Sequence, residues 1–281
     1  GGFSNINGAI TGGSGDDTFV LSDGVGVTGA INGALGTDEI DYAAYTSAVT
    51  VNLSTGAATN VTGGISGIEN VDGGGGADSL TGDANANTLT GAGGNDTIDG
   101  GGGNDTMADG SGDDSLVGGA GNDTYEMTPG SADVVNDTDG SDTLDFSGAA
   151  AGISINMSSS ATQTVNPGNT VTLTGTIENF VGSAFDDSIM MDPLASLVTR
   201  SITSGGGTND SFTIDALNND MTHTITGPGV GTVQIDGGGF GLISYSSVED
   251  RTFANVAGGG GCGTGTIPSR LLASVASMAS M

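Results

Sequence analysis

Residues Gly64–Glu126 are seven nine-residue units laid end to end, and this strict period limits the possible folds more than anything else in the chain. The units read GISGIENVD, GGGGADSLT, GDANANTLT, GAGGNDTID, GGGGNDTMA, DGSGDDSLV and GGAGNDTYE. Position six is a carboxylate or amide: Glu69, Asp78, Asn87, Asp96, Asp105, Asp114, Asp123. Position eight is apolar: Val71, Leu80, Leu89, Ile98, Met107, Leu116, Tyr125. Positions one to four are mostly Gly.

Each part of the unit has a physical consequence. The Gly-rich half turns tightly, because glycine reaches backbone angles closed to other residues. The rest of the unit suffices for a very short strand, with the position-eight side chain on one face. One such strand cannot bury its hydrophobe, but stacked neighbours build a thin continuous core. Stacking also sets the position-six acids in columns about 4.8 Å apart. Like charges at that distance repel by roughly 1 kcal/mol even in water. A cation between them removes the repulsion, and carboxylates with turn carbonyls are hard oxygen donors suited to Ca2+. The competing reading is a solvated acidic turn, with Asp present for its turn chemistry alone.

The pattern G-G-x-G-x-D-x-U-x, U being a large apolar residue, resembles that of the RTX (repeat-in-toxin) proteins. GGGGNDTMA, GGAGNDTYE, GGGGADSLT and GGSGDDTFV (Gly12–Val20) fit it throughout. The resemblance implies an all-β chain: a right-handed parallel β-roll or β-helix solenoid, two units to a coil, with several Ca2+ ions between turns. The best candidate ligands are Asp96, Asp105, Asp114 and Asp123, with Asp78 at the start of the array. Asp78, Asp96 and Asp114 fall in one column, Asp105 and Asp123 in the other. GDANANTLT departs from the pattern at Asn85 and Asn87, which weakens the site beside it. Asp16, Asp113, Asp142 and Asp187 complete the candidate metal set.

The unit recurs outside the array in degraded form. GALGTDEID (residues 33–41) carries Asp38 and Ile40, and Val49, Val51 and Leu53 then alternate as in a half-buried strand. Gly140–Met157 aligns without gaps to Gly36–Leu53, and Ile177-Glu178-Asn179 repeats Ile68-Glu69-Asn70. A further acidic unit follows each: GGGGADSLT, and GSAFDDSIM at Gly182–Met190. A blurred third round includes GGGTNDSFT with Asp210 and then SVEDRTF. The expected divisions are residues 1–63, a solenoid module with degenerate repeats; 64–126, the regular array; 127–190, a second module repeating 36–81; 191–256, a worn solenoid module; and 257–281, a Gly-rich linker and tail. Leu271, Leu272, Val275 and Met278 lie at helical spacing behind Pro268 and Ser269, predicting a short helix or irregular end.

Composition excludes several functions. The chain has 281 residues and a formal charge of −30, with only three basic residues besides one His. Nucleic-acid binding needs a basic footprint that is missing here. No apolar run approaches the ~20 residues of a membrane-spanning helix. The first residues carry no signal-peptide pattern, and the chain begins inside a repeat, as a fragment or processed form would. A single Cys, Cys262, excludes an internal disulfide framework. Adjacent acids such as Asp113-Asp114 and Asp186-Asp187 are explained by the repeat rather than by glycosidase chemistry. His223 has no partner at catalytic spacing, and neither H-E-x-x-H nor G-x-S-x-G occurs, so no enzyme activity is expected.

The leading expectation is an extracellular, calcium-stabilised structural rod, a segment of a bacterial surface fibre, sheath, S-layer or adhesin stalk, with head-to-tail self-association. Two alternatives stay open: the C-terminal secretion and folding module of a larger exported enzyme or toxin, and a glycan- or ice-binding adhesin module presenting ranks of Thr.

Overall fold

The computed structural model describes residues 6–128, 130–191, 200–203, 205–207, 210–215, 220–227, 230–236, 243–246 and 250–254. Cys262, the Gly-rich linker and the expected helix at Ser269–Met281 lie outside the described residues, as does part of SVEDRTF. No helix occurs among the described residues. The chain forms two compact units, Gly1–Ala149 with Ser160–Asn179, and Ala150–Ser159 with Phe180–Met281.

The first unit is an all-β parallel solenoid of the β-roll kind. On one side, parallel strands run in the order Thr18–Val20, Glu39–Asp41, Asn70–Asp72, Thr88–Thr90, Thr106–Ala108, Thr124–Glu126 and Thr143–Asp145. On the other, Thr50–Asn52, Ser79–Thr81, Thr97–Gly102, Ser115–Ala120, Ala132–Asp137 and Asn169–Gly175 pair in parallel. This second sheet ends in an antiparallel partner at both edges, Ala57–Ala58 against Thr50–Asn52 and Gln163–Asn166 against Asn169–Gly175. A third, short sheet stacks Ile10–Thr11, Ile31–Asn32 and Ile65–Ser66.

The register shows how the nonapeptide builds this. Leu80 pairs with Ile98 and Ile98 with Leu116, each partner lying two nonapeptides further along the chain, so two units make one coil. Leu89, Met107 and Tyr125 stack in the same way on the opposite side. The side chains of both rows are 0–1% exposed. Each strand in its regular form is a short triplet that alternates outward–inward–outward, so the inward side chain is always position eight. Burying one such side chain contributes roughly 1.5–3 kcal/mol. No single coil is stable by itself, and the core exists only as a column.

At three places the coils pack too closely for a side chain at position four. Gly94, Gly112 and Gly121 have φ of 111°, 136° and 143°, and a Cβ on each would land on a backbone carbonyl of the coil before it. Glycine is required at these three places, whereas Asn85 and Phe185 hold position four in their own units and Gly15 has open space around it.

The two I-E-N segments do the same work. Where the coil lengthens, Glu69 supplies its carboxylate to the Asp38 N–H (2.8 Å), and Glu178 supplies its own to the Asp142 N–H (2.9 Å). In return the Asn70 and Asn179 N–H groups donate to the Asp38 and Asp142 carbonyls. A glutamate appears at these two points because the longer side chain still reaches when the coil departs from the regular two-nonapeptide length.

In the second unit, Ser154–Asn156, Ser188–Met191, Ser211–Asp215 and Asp250–Ala254 form a parallel sheet. Arg200–Thr203 pairs in parallel with Ile243–Ser246, which is joined by the antiparallel strands Val230–Asp236 and Asp220–Gly227.

Candidate metal centre

The position-six acids of the first unit form two ladders along the stack. In the first, the N–H of Val49 donates to Asp78 Oδ1 (2.8 Å), Asp78 to Asp96 (2.7 Å), Asp96 to Asp114 (2.6 Å) and Asp114 to Asp133 (3.0 Å). In the second, Asn87 donates to Asp105 Oδ1 (2.8 Å), Asp105 to Asp123 (2.7 Å) and Asp123 to Asp142 (2.9 Å). One oxygen of every acid therefore locks a coil to the one before it. The strand-side geometry dictates this, because the position-six N–H points along the stack just before the strand begins.

The second oxygen separates the turns into two kinds. In the turn beginning at Gly73 the position-two N–H caps it, Gly74 donating to Asp78 Oδ2 (2.7 Å), and in the turn beginning at Gly82 Asp83 donates to the single side-chain oxygen of Asn87, Oδ1 (2.8 Å). Gly13 caps Asp17 Oδ2 in the same way (2.6 Å), and in the second unit Ser183 caps Asp187 Oδ2 (2.8 Å). Position two takes a left-handed backbone in the GALGTDEID turn, at Ala34 (φ 85°), whose N–H goes to Asn32 Oδ1, and in four turns of the array: Ala92 (φ 69°), Gly101 (93°), Gly110 (89°) and Gly119 (100°). There the Oδ2 atoms of Asp96, Asp105, Asp114 and Asp123 are buried and accept no hydrogen bond. Asp109 and Asp142 Oδ2 share that condition. A buried carboxylate oxygen without a partner is costly, so the open turns are incomplete as protein alone.

The donor set fits a hard cation. At Gly91 an added Cβ would sit against Asp96 Oδ2 and 2.6 Å from the Asp109 carbonyl oxygen. At Gly100 it would lie 2.5 Å from Asp105 Oδ2 and 2.7 Å from the Gly118 carbonyl oxygen. A carboxylate of one coil and a carbonyl of the next thus converge on a space that only glycine at position one leaves open. Oxygen donors of this kind suit Ca2+. The protein offers no counter-charge of its own: residues 1–199 contain neither Lys nor Arg.

Electrostatics point the same way. Burial raises the carboxyls of Asp96, Asp105, Asp109 and Asp142 to about 7, and Asp114 to about 6, against the lowering effect of the backbone N–H each accepts. Neighbouring acids add to the rise, Asp114 and Asp78 for Asp96, and Asp123 for Asp105. Burial also raises Asp123 and Asp133. Near neutral pH these groups shed their protons readily only when a cation takes their place.

The candidate residues fall into distinct places. Asp96, Asp105, Asp114, Asp123 and Asp142 lie in the inner ladders with an unpartnered oxygen. Asp78 lies in the same ladder but capped, and Asp187 is capped in the second unit. Asp16 and Asp113 are exposed and belong to an outer ladder at position five. There Asp16 accepts from the Thr37 N–H (2.8 Å) and Asp113 from Ala132 (3.0 Å), as Asn104 does from Asn122 (2.9 Å). The inner place in the first turn belongs to Asp17. Asp109, Asp133 and Asp137 are inner acids that sequence reasoning passed over. Asp109 stands in phase at position one and was legible there. Asp133 and Asp137 follow a coil one residue longer than two nonapeptides, since Leu116 pairs with Val135, and this shifts the count.

The Asn87 turn shows what replaces an ion. Its amide Nδ2 donates to the Glu69 carbonyl of the coil before it (3.0 Å), while Oδ1 takes the Asp83 N–H. Asn87→Asp removes that donor and sets an anionic oxygen against a carbonyl. The expected result is a loss of about 1–3 kcal/mol in limiting calcium, which shrinks in saturating calcium, measured by thermal melts in both conditions.

No helix among the described residues is long and apolar enough to cross a membrane. No curated protein matches the chain. The family model of the RTX calcium-binding nonapeptide repeat matches it in four copies, at residues 9–26, 63–98, 72–107 and 99–126. With the ladders and the oxygen-lined turns of the same residues, this identifies the chain as one built over residues 9–26 and 63–126 of RTX nonapeptide repeats, which bind Ca2+.

Proposed function

We propose that the chain is a calcium-stabilised structural segment that works outside the cell, with ions held at the open turns of Asp96, Asp105, Asp114 and Asp123 and none at the capped turns of Asp78, Asn87 and Asp187. The observation that carries this reading is the set of buried, unpartnered carboxylate oxygens in a region with no basic side chain. Such a fold draws its counter-charge from solution, and extracellular modules meet calcium at the concentrations that weak oxygen sites need. Within the array the glycines turn, position six builds the ladders and position eight fills the core, which favours a structural role over catalysis. Asp16 and Asp113, on the exposed outer ladder, hold coils together by accepting N–H groups.

Head-to-tail self-association belongs to this reading, supported by the strand edge that Thr18–Val20 leaves at the end of the first sheet among the described residues.

The test is fractionation of the producing cells. The chain is expected at the surface or in the medium in calcium, and a chelator wash is expected to release it with loss of strand signal in circular dichroism. Recovery from the cell interior, or an unchanged spectrum in chelator, contradicts the reading. A native polypeptide of much larger mass with a non-repetitive catalytic region would favour the export-module alternative.

A further inference from the structure

The open turns are not all alike. In the array position one is glycine at Gly73, Gly82, Gly91, Gly100 and Gly118, but Asp109 occupies it in the sixth unit. One coil after Gly118, Asp137 stands in the same place relative to its own ladder acid Asp142 as Gly118 does relative to Asp123. A side chain at position one enters the space where the ladder oxygen and the next coil's carbonyl converge. The would-be Cβ of Gly118 meets Asp137 Oδ2, Asp123 Oδ2 and the Tyr125 hydroxyl together.

Two clusters result. Ligand atoms of Asp109, Asp114 and Asp133 lie within 4.8 Å of one another, as do those of Asp123, Asp137 and Asp142. All six residues are at most 4% exposed. Each cluster contains two carboxylate oxygens that accept no hydrogen bond: Asp109 and Asp114 Oδ2 in one, Asp123 and Asp142 Oδ2 in the other. The third acid is held in position, Asp133 by the Ser131 hydroxyl (2.9 Å) and Asp137 by the Tyr125 hydroxyl (2.6 Å). Three carboxylates around one point carry a formal charge of −3 when ionised. A divalent ion leaves a net negative charge there and a trivalent ion leaves none. Ligand charge count is a main determinant of affinity at oxygen sites.

From this geometry we infer that Asp109–Asp114–Asp133 and Asp123–Asp137–Asp142 are a pair of three-carboxylate cation sites that fill before the turns of Asp96 and Asp105 and favour trivalent lanthanide ions over Ca2+. The inference rests on the calcium reading above and ranks the sites within it.

Tyr125 supplies the readout, because its hydroxyl touches a ligand of the second site. The full chain, folded in limiting Ca2+, is titrated with Tb3+ and excited in the tyrosine band. Sensitised emission is expected to reach its plateau with the first two equivalents, counted by native mass spectrometry. Tyr125→Phe is expected to remove most of that emission and, because its hydroxyl holds Asp137, to weaken the second site while the ion at Asp109–Asp114–Asp133 stays tight. Asp109→Asn and Asp137→Asn keep an acceptor oxygen for the local hydrogen bonds, and each is expected to weaken one tight site about tenfold or more. Emission that grows evenly through all equivalents, or two tight ions that survive both Asn variants, overturns the ranking. If these variants fail to fold, the Tb3+ titration of the unaltered chain and of Tyr125→Phe still decides it. Absence of any ion uptake, with strand signal unchanged by chelator, would instead bring down the calcium reading itself.

Discussion

Acid is expected to restore the fold that chelator removes. At about pH 8 in chelator, the strand signal of the array is expected to be lost. At about pH 5.5 in the same chelator, still above the sequence pI of about 4.1, it is expected to return. The direction follows from the ladder acids. Burial raises Asp96, Asp105, Asp109 and Asp142 to about 7, whereas an unfolded Asp titrates near about 3.9. Between those values the folded state binds more protons than the unfolded one. Without calcium, stability therefore falls as pH rises through the window, and it is greatest below it. Calcium acts in the opposite sense, because it binds the ionised form. Its affinity should rise with pH over the same range. Circular dichroism along a pH series, with and without calcium, checks both halves. A chelated chain that stays unfolded at the acid end, or stays folded at the alkaline end, would contradict the role assigned to the buried carboxyls.

The second large effect is steric. Gly112→Ala and Gly121→Ala are each expected to destabilise the calcium-bound chain by about 3 kcal/mol or more, roughly 6–12 °C in Tm. Both glycines have φ values that side-chain-bearing residues rarely adopt, 136° and 143°. Both would also drive a Cβ onto a carbonyl oxygen of the preceding coil, that of Gly94 or Gly103. Backbone cannot retreat there without breaking the strand register on either side. Gly15→Ala is the control. It occupies the same position in the first turn but has open space around it, and its change should stay within about 0.5 kcal/mol. Equal melting temperatures for all three variants would show that close coil contact does not limit the stack.

The nonapeptide made much of this fold legible. Position eight named the buried rows, from Val71 to Tyr125, and two units per coil gave both ladders. The alignment of Ile68-Glu69-Asn70 with Ile177-Glu178-Asn179 marked two structurally equivalent points. Asn87 stood out as the weak member of its column, and its turn closes on an amide.

What stayed hidden lies below the level of pattern. GGGGAD and GGGGND read almost alike, yet Asp78 is capped by Gly74 and Asp105 is not. The difference is the backbone angle at position two, and glycine permits both states. In GGSGDD the inner place falls to position six, Asp17, as the pattern itself marks it; the candidate Asp16 stands one place earlier and faces out. Past Tyr125 a coil longer by one residue than its predecessors breaks the count, which concealed Asp133 and Asp137. The three-carboxylate sites sit at that break.

The most direct measurement is anomalous diffraction from crystals grown in calcium. Ions are expected facing Oδ2 of Asp96, Asp105, Asp114 and Asp123, and none at the turns of Asp78, Asn87 and Asp187. An ion in the Asn87 turn, or an empty Asp105 turn, would contradict the link between a left-handed position two and calcium.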